Sequence, residues 1–92
     1  MAKFLMLGKY SAEAIKGISA ERTKKAKQTI EKTGGKANAI YALLGAYDLA
    51  IIADFPNTSA AMKASIALTK LTGIGFTTSA AITVEEFDRM LG

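Results

Sequence analysis

The hydrophobic positions of this chain change period several times, and each change marks an element. Residues 3–10 are strongly apolar and alternate loosely, with Phe4-Leu5-Met6-Leu7 set between Lys3 and Lys9. That is the pattern of a central strand. Ser11 offers an N-cap for a short helical turn over Ala12–Lys16, which Gly17 interrupts. Ser19 caps a longer helix running to about Thr33. On it Ala20, Thr23, Ala26, Ile30 and Gly34 share one side, and Glu21, Lys25, Gln28 and Lys32 the other. The inward stripe is made of small residues, so this helix can lie close to whatever it covers. Glu21 and Lys25 are spaced i,i+4 in the favourable order. Gly34-Gly35 ends the helix.

Residues 36–44 and 47–55, rich in Ile, Leu, Tyr and Ala, read as paired strands. Pro56-Asn57-Thr58-Ser59 stops the second strand and caps an unusually apolar helix over 60–72, in which Lys63 and Lys70 mark the exposed side. Gly73 and Gly75 end it, and Phe76–Thr83 forms a last strand. Thr83-Val84-Glu85-Glu86 is a capping box that opens a short final helix carrying Phe87, Met90 and Leu91. The order is β-α-β-β-α-β with a terminal helix, spanning residues 1–92 as a single α+β domain. Two crossovers around one hairpin predict a ferredoxin-like sandwich: a four-stranded antiparallel sheet with helices on one face. The expected strand order is 4-1-3-2, with residues 3–10 and 48–55, the most apolar strands, in the centre.

The hairpin sets the register. A two-residue turn at Gly45-Ala46, with glycine supplying positive φ, pairs Leu44 with Tyr47 and Leu43 with Asp48. One face then carries Ile40, Ala42, Leu44, Tyr47, Leu49, Ile51, Ala53 and Phe55, the natural core. The other carries Ala37, Ala39, Tyr41, Leu43, Asp48, Ala50, Ile52 and Asp54. A three-residue turn would move one strand's set to the opposite face. The second face is still mostly apolar, and a soluble protein does not leave such a surface open to water. A homodimer packed sheet to sheet is the expected solution, enclosing a cavity with polar atoms from Tyr41, Asp48 and Asp54.

Composition narrows the chemistry. The chain has no cysteine and no histidine. Disulfides, thiolate catalysis and Ser/His or Cys/His nucleophiles are excluded, and the commonest metal ligand is missing. Half of the residues are hydrophobic, more than one small core needs. The apolar run after Lys3 is too short for a signal peptide or a membrane span, so a soluble, cytoplasmic protein is expected. The net charge of +4 is concentrated in residues 16–36, where Lys16, Arg22, Lys24, Lys25, Lys27, Lys32 and Lys36 face only Glu21 and Glu31. A solvated helix face accounts for this run more simply than nucleic acid does. RNA-recognition modules share the element order but carry a basic, aromatic third strand, whereas Tyr47–Phe55 here holds Asp48 and Asp54 and no base. Gly34-Gly35-Lys36 runs from helix to strand, the wrong direction for a phosphate loop. No cofactor or metal is expected. Asp48 and Asp54 lie roughly 20 Å apart along one strand, too far for a shared ion or a paired-carboxylate site within one chain.

Taken together, the chain resembles the GYD domain family, small bacterial and archaeal proteins. The resemblance rests on Phe4-Leu5-Met6-Leu7 with Tyr10-Ser11, Ser19-Ala20-Glu21-Arg22, Gly34-Gly35-Lys36, Tyr41, Gly45-Ala46-Tyr47-Asp48, Pro56, Thr77, and Thr83 with Glu85-Glu86-Phe87. It covers nearly the full length and implies a ferredoxin-like fold of the dimeric α+β barrel type, with no settled activity. Relatives are expected to carry an arginine ahead of the last-strand threonine, where this chain has Phe76.

Within this frame the ligand-binding candidates are Tyr10, Tyr41, Tyr47, Asp48 and Asp54, and the candidate catalytic group is Asp48. A carboxylate on an apolar sheet face, with Tyr41 or Tyr10 as donor, is a setting a general base uses. The structural alternative has Asp48 bonding backbone N–H groups at the hairpin while Tyr47 packs in the core. Asp54 reads more simply as a loop or cap residue and Lys9 as a surface lysine, and Arg22 as a side chain reaching toward the sheet or a partner, with a salt bridge to Asp48 or Asp54 open to it. The expected role is a homo-oligomeric small-molecule-binding module. The alternatives are a cofactor-free enzyme using Asp48 and a tyrosine, and a structural or regulatory interaction module.

Overall fold

The structure is a computed structural model that describes residues Met1–Gly92. Its elements follow in the order β1 (Ala2–Lys9), α1 (Ala12–Lys16), α2 (Ala20–Lys32), β2 (Lys36–Ala42), β3 (Leu49–Phe55), α3 (Thr58–Thr72), β4 (Gly75–Ala81) and α4 (Val84–Leu91). The sheet is antiparallel throughout with strand order β2-β3-β1-β4, so the two most apolar strands do occupy its centre. This is the ferredoxin-like α+β arrangement expected from the element order.

Side-chain caps fix where helices begin. The Ser11, Ser19 and Thr83 hydroxyls accept from the N–H groups of Ala14, Arg22 and Glu86. Asn57 Oδ1 accepts from Ala60 N–H at 2.8 Å, which starts α3 at Thr58 rather than residue 60. Because Thr83 caps α4, β4 stops at Ala81 instead of running on to Thr83. At the end of α2, Gly34 takes φ +86°. Its N–H donates to Glu31 O, and Gly35 N–H donates to Ile30 O. That pair of bonds is a Schellman closure.

The core lies between the sheet and helices α2 and α3. It contains Phe4 and Met6 of β1, Ile51, Ala53 and Phe55 of β3, Ile30 of α2, and Ala60, Ala61, Ala64 and Leu68 of α3. Phe4 and Phe55 meet edge to face with centroids 5.7 Å apart. The three α3 alanines let that helix settle close to the strands. On α2 the inward stripe is rotated from the expected one. Ile30 is buried and Arg22 and Ala26 half-buried, while Ala20 and Thr23 are exposed.

The β2–β3 register matches the hairpin expectation from Ala39 to Ala42, next to the turn, pairing Tyr41 with Ala50 and Ile40 with Ile51. Two details differ. The ladder stops at Ala42 and Leu49, with one further bond from Leu43 N–H to Asp48 O, so the turn is wider than two residues. Gly45 sits at φ +143° within it, and Leu44, expected on the core face, is fully exposed. The second difference is a bulge between Ala37 and Ala39. Asn38 is the extra residue. Ala37 therefore pairs with Ala53 and turns toward the core, not toward the open face where strict alternation put it.

The Phe55 ring occupies the space beside Gly35. A Cβ added there would lie 2.5 Å from Phe55 Cδ1 and 2.9 Å from Asp54 O. Gly75 has nothing within 4 Å of the same position. In urea unfolding, Gly35→Ala is expected to lose about 1–3 kcal/mol by overpacking, and Gly75→Ala to change stability by no more than about 0.5 kcal/mol.

Candidate functional site

Helices cover one face of the sheet, and the other face carries three rows of side chains set by the registers. From β2 through β3 and β1 to β4, the first row is Tyr41, Ala50, Leu7 and Thr77. The second is Ala39, Ile52, Leu5 and Ser79, and the third is Lys36, Asp54, Lys3 and Ala81. The centre is thus apolar. Leu5, Leu7 and Ile52 are only half-buried, and Tyr41 is 58% exposed. Hydroxyls from Thr77 and Ser79 line one margin, the Tyr41 phenol stands at the other, and charge collects at the third row.

In that third row Lys3 Nζ lies 3.4 Å from Asp54 Oδ1, the chain's ion pair. The bulged Asn38 returns across the strand, and its Nδ2 donates to Asp54 Oδ2 at 2.8 Å. The Asn38 amide chiefly, with Lys3 adding to it, holds the Asp54 carboxyl below its ordinary value of 3.8. Asp54 is therefore a sheet-face anion with two fixed donors, not a loop or cap residue.

Asp48 lies at the opposite end of β3, where it joins the hairpin to β1. Its N–H donates to Gly8 O at 2.8 Å, and its carbonyl accepts from Leu43 N–H at 2.8 Å. Its carboxylate Oδ2 accepts from Tyr10 N–H at 2.8 Å. The main-chain ladder between β1 and β3 ends at Gly8 and Leu49, and the Asp48 side chain takes over the pairing beyond it. Lys9 Nζ adds a bond to Ala46 O at 2.9 Å, so Lys9 holds the hairpin tip.

Of the sequence-derived candidates, Tyr10 and Asp48 are brought together, through the Tyr10 backbone and not its phenol. Tyr47 is half-buried beside Asp48, outside any strand. Tyr41 is on the open face one row from that end, and Asp54 is at the far end. Arg22 reaches neither aspartate: its guanidinium lies over the Tyr10 ring, 5.8 Å from the centroid, and donates to Ala14 O. Below this pair, on the helix side, a cavity of about 40 Å³ is lined by Tyr10, Arg22, Ala26, Ile51, Leu68 and Phe76 among others. It has room for ordered water but not for a metabolite. Phe76 belongs to that packed side, opposite Gly8 of β1, whose missing side chain makes space for the ring.

Sequence reasoning did not place Lys3, Asn38, Leu5, Leu7, Thr77 or Ser79 among the site residues. Alternation along β1 and β4 was the available signal for the strand residues. No signal pointed to Asn38, because its role follows from a bulge.

The fold and this half-apolar open face define a ferredoxin-like α+β domain. The GYD domain model matches residues 4–91, nearly the whole chain, and the protein belongs to the GYD domain family. No curated protein matches the chain. Among solved structures it is similar to the crystal structure of the Mycobacterium tuberculosis leucine response regulatory protein LrpA, with a TM-score of 0.60 and 6% identity. That match covers 89% of this chain and 51% of the other, so the chain spans about half the length of that structure. At this identity the likeness concerns the fold. No helix is long and apolar enough to cross a membrane.

Two outcomes follow from the aspartates. Asp48→Ala leaves the Tyr10 amide without its charged acceptor and is expected to cost about 1–3 kcal/mol. Asp48→Asn keeps an acceptor oxygen and should cost less, as urea titrations of both variants would show. For Asp54 the folded carboxyl titrates below the unfolded one. Its stabilisation is therefore present above the unfolded value and lost as pH falls through the folded value. Wild type should exceed Asp54→Asn by up to about 1 kcal/mol near neutral pH, with the gap closing in acid-unfolding curves below about pH 4.

Proposed function

We propose that this GYD protein is a homo-oligomeric small-molecule-binding module whose pocket forms between the open sheet face and a second copy of the chain. The observation that carries this reading is the three-row face itself. Leu5, Leu7, Ala50 and Ile52 make an apolar floor, and hydroxyls and one ion pair stand only at its margins. An apolar floor with few, placed polar groups is what a small amphipathic ligand requires. In the single chain the floor has no roof, and a second sheet packed at about 10 Å would supply one. Tyr41, Thr77 and Ser79 are then the groups that orient a ligand, and Lys3 with Asp54 closes one end.

Acid–base catalysis by Asp48 finds less support. Its carboxylate is engaged by the Tyr10 amide, where it continues the pairing beyond the end of the β1–β3 ladder. The basic face of α2 lies on the helix side, away from this pocket, and plays no part in the reading.

Light scattering at micromolar concentration should give a mass of two chains or more, and Leu5→Lys should weaken association at least tenfold while far-UV circular dichroism stays unchanged. In a thermal-shift screen of small amphipathic metabolites, a binder should raise the melting temperature. Tyr41→Phe with Ser79→Ala should reduce that shift without changing the mass. A single-chain mass at all concentrations contradicts the assembly, and turnover of the binder that is lost in Asp48→Asn contradicts a binding-only role.

A further inference from the structure

Helix α4 follows β4 after only Ile82 and Thr83, and none of its residues is buried. Val84, Phe87, Met90 and Leu91 are 69%, 49%, 69% and 71% exposed, with Ile82 at 48%. Their spacing places them on one stripe, and Glu85, Glu86, Asp88 and Arg89 fill the opposite arc. An isolated helix shorter than about 12–15 residues is marginal in water. The Thr83 cap on Glu86 N–H does not change that. A helix this short, with so segregated a stripe, needs a surface to lie on, and its own domain offers it none.

We propose that α4 is a clasp exchanged between two copies of the chain, its apolar stripe packing on the second copy at the margin of the paired sheets. The inference rests on the sheet pairing proposed above and names a second element of that interface. The first support is where the helix starts. Glu86 shares a hollow of about 170 Å³ with Lys3, Asp54 and Ala81, all of the open-face third row, so α4 leaves on the side where the second copy lies. The second is charge. α4 holds three acids and one base, whereas the rest of the chain keeps 11 of the 12 Lys and Arg and 5 of the 8 Asp and Glu. At the margin where α4 starts, the third row sets Lys3 and Lys36 against Asp54, so an acidic helix from a second copy meets a net positive edge. The third is area. The stripe on α4 extends the apolar interface beyond the sheet. A lipid surface is the poorer fit, because helices that lie on anionic membranes carry lysine and arginine on the polar arc.

The test combines Phe87→Asp with Met90→Asp in the full chain and compares it with wild type and Leu5→Lys by sedimentation velocity across a concentration series. Circular dichroism verifies that the sheet is retained, and Val84→Asp with Leu91→Asp serves as an independent second variant. The expected result is an associating wild type and at least tenfold weaker association in each α4 variant. If wild type associates, Leu5→Lys disrupts it and both α4 variants match wild type, the clasp is overturned while the sheet pairing stands. A wild type that sediments as one chain throughout overturns both. Co-sedimentation with phosphatidylcholine–phosphatidylserine vesicles should be absent. Binding to them that the α4 substitutions abolish, with the mass unaffected, also overturns the clasp.

Discussion

A four-stranded sheet has two faces, and this chain carries enough inward-packing helix for one. α2 and α3, 13 and 15 residues long, lie over Phe4, Met6, Ile51, Ala53 and Phe55. α4 does not join them. A sheet meant to face water on its second side alternates apolar with polar residues. β1 and β3 do not: Leu5 and Leu7 point away from the core between Phe4, Met6 and Gly8, and Ala50 and Ile52 do the same between Leu49, Ile51 and Ala53. The central strands are thus written for burial on both faces. A second copy is the cover proposed for that face, and the proposed pocket follows from that cover.

The polar residues around the open face are held in place by the backbone. At one end Asp48 extends the β1–β3 ladder with its side chain and fixes the hairpin against Tyr10 and Gly8. At the other, the Asn38 bulge aims an amide at Asp54, which also meets Lys3. Both aspartates thereby stiffen the ends of β3, and the apolar stretch between them stays free of charge. This division accounts for two acids on a strand that otherwise reads as core. An apolar floor with polar groups held at its margins suits the binding role proposed above.

Much of this was legible from residue types. The positions of Ser11, Ser19 and Thr83 mark helix starts because their hydroxyls can only cap there, and Gly34-Gly35 marks a helix end because the closure needs positive φ. The pairing of Tyr41 with Ala50 follows from the hairpin spacing even though the turn itself is wider. What was not legible depends on a single inserted residue or a long-range approach. The bulge at Asn38 reverses Ala37, and alternation cannot register it. Arg22 settles over Tyr10 and the α1 carbonyl of Ala14 because the end of β1 and α1 come together in the fold, 12 and 8 residues away in sequence. The Tyr10–Asp48 bond likewise spans 38 positions.

Membership of the GYD domain family and the likeness of fold to LrpA place the chain on a known scaffold, and the proposed function rests on its open face. The central claim is that this face is buried against a second copy. Hydroxyl-radical footprinting across a dilution series reads it residue by residue. The account predicts that Leu5, Leu7 and Tyr41 are protected at high concentration and become reactive on dilution, while Leu44 at the hairpin tip stays reactive throughout. Uniformly high reactivity of Leu5, Leu7 and Tyr41 at every concentration would contradict it.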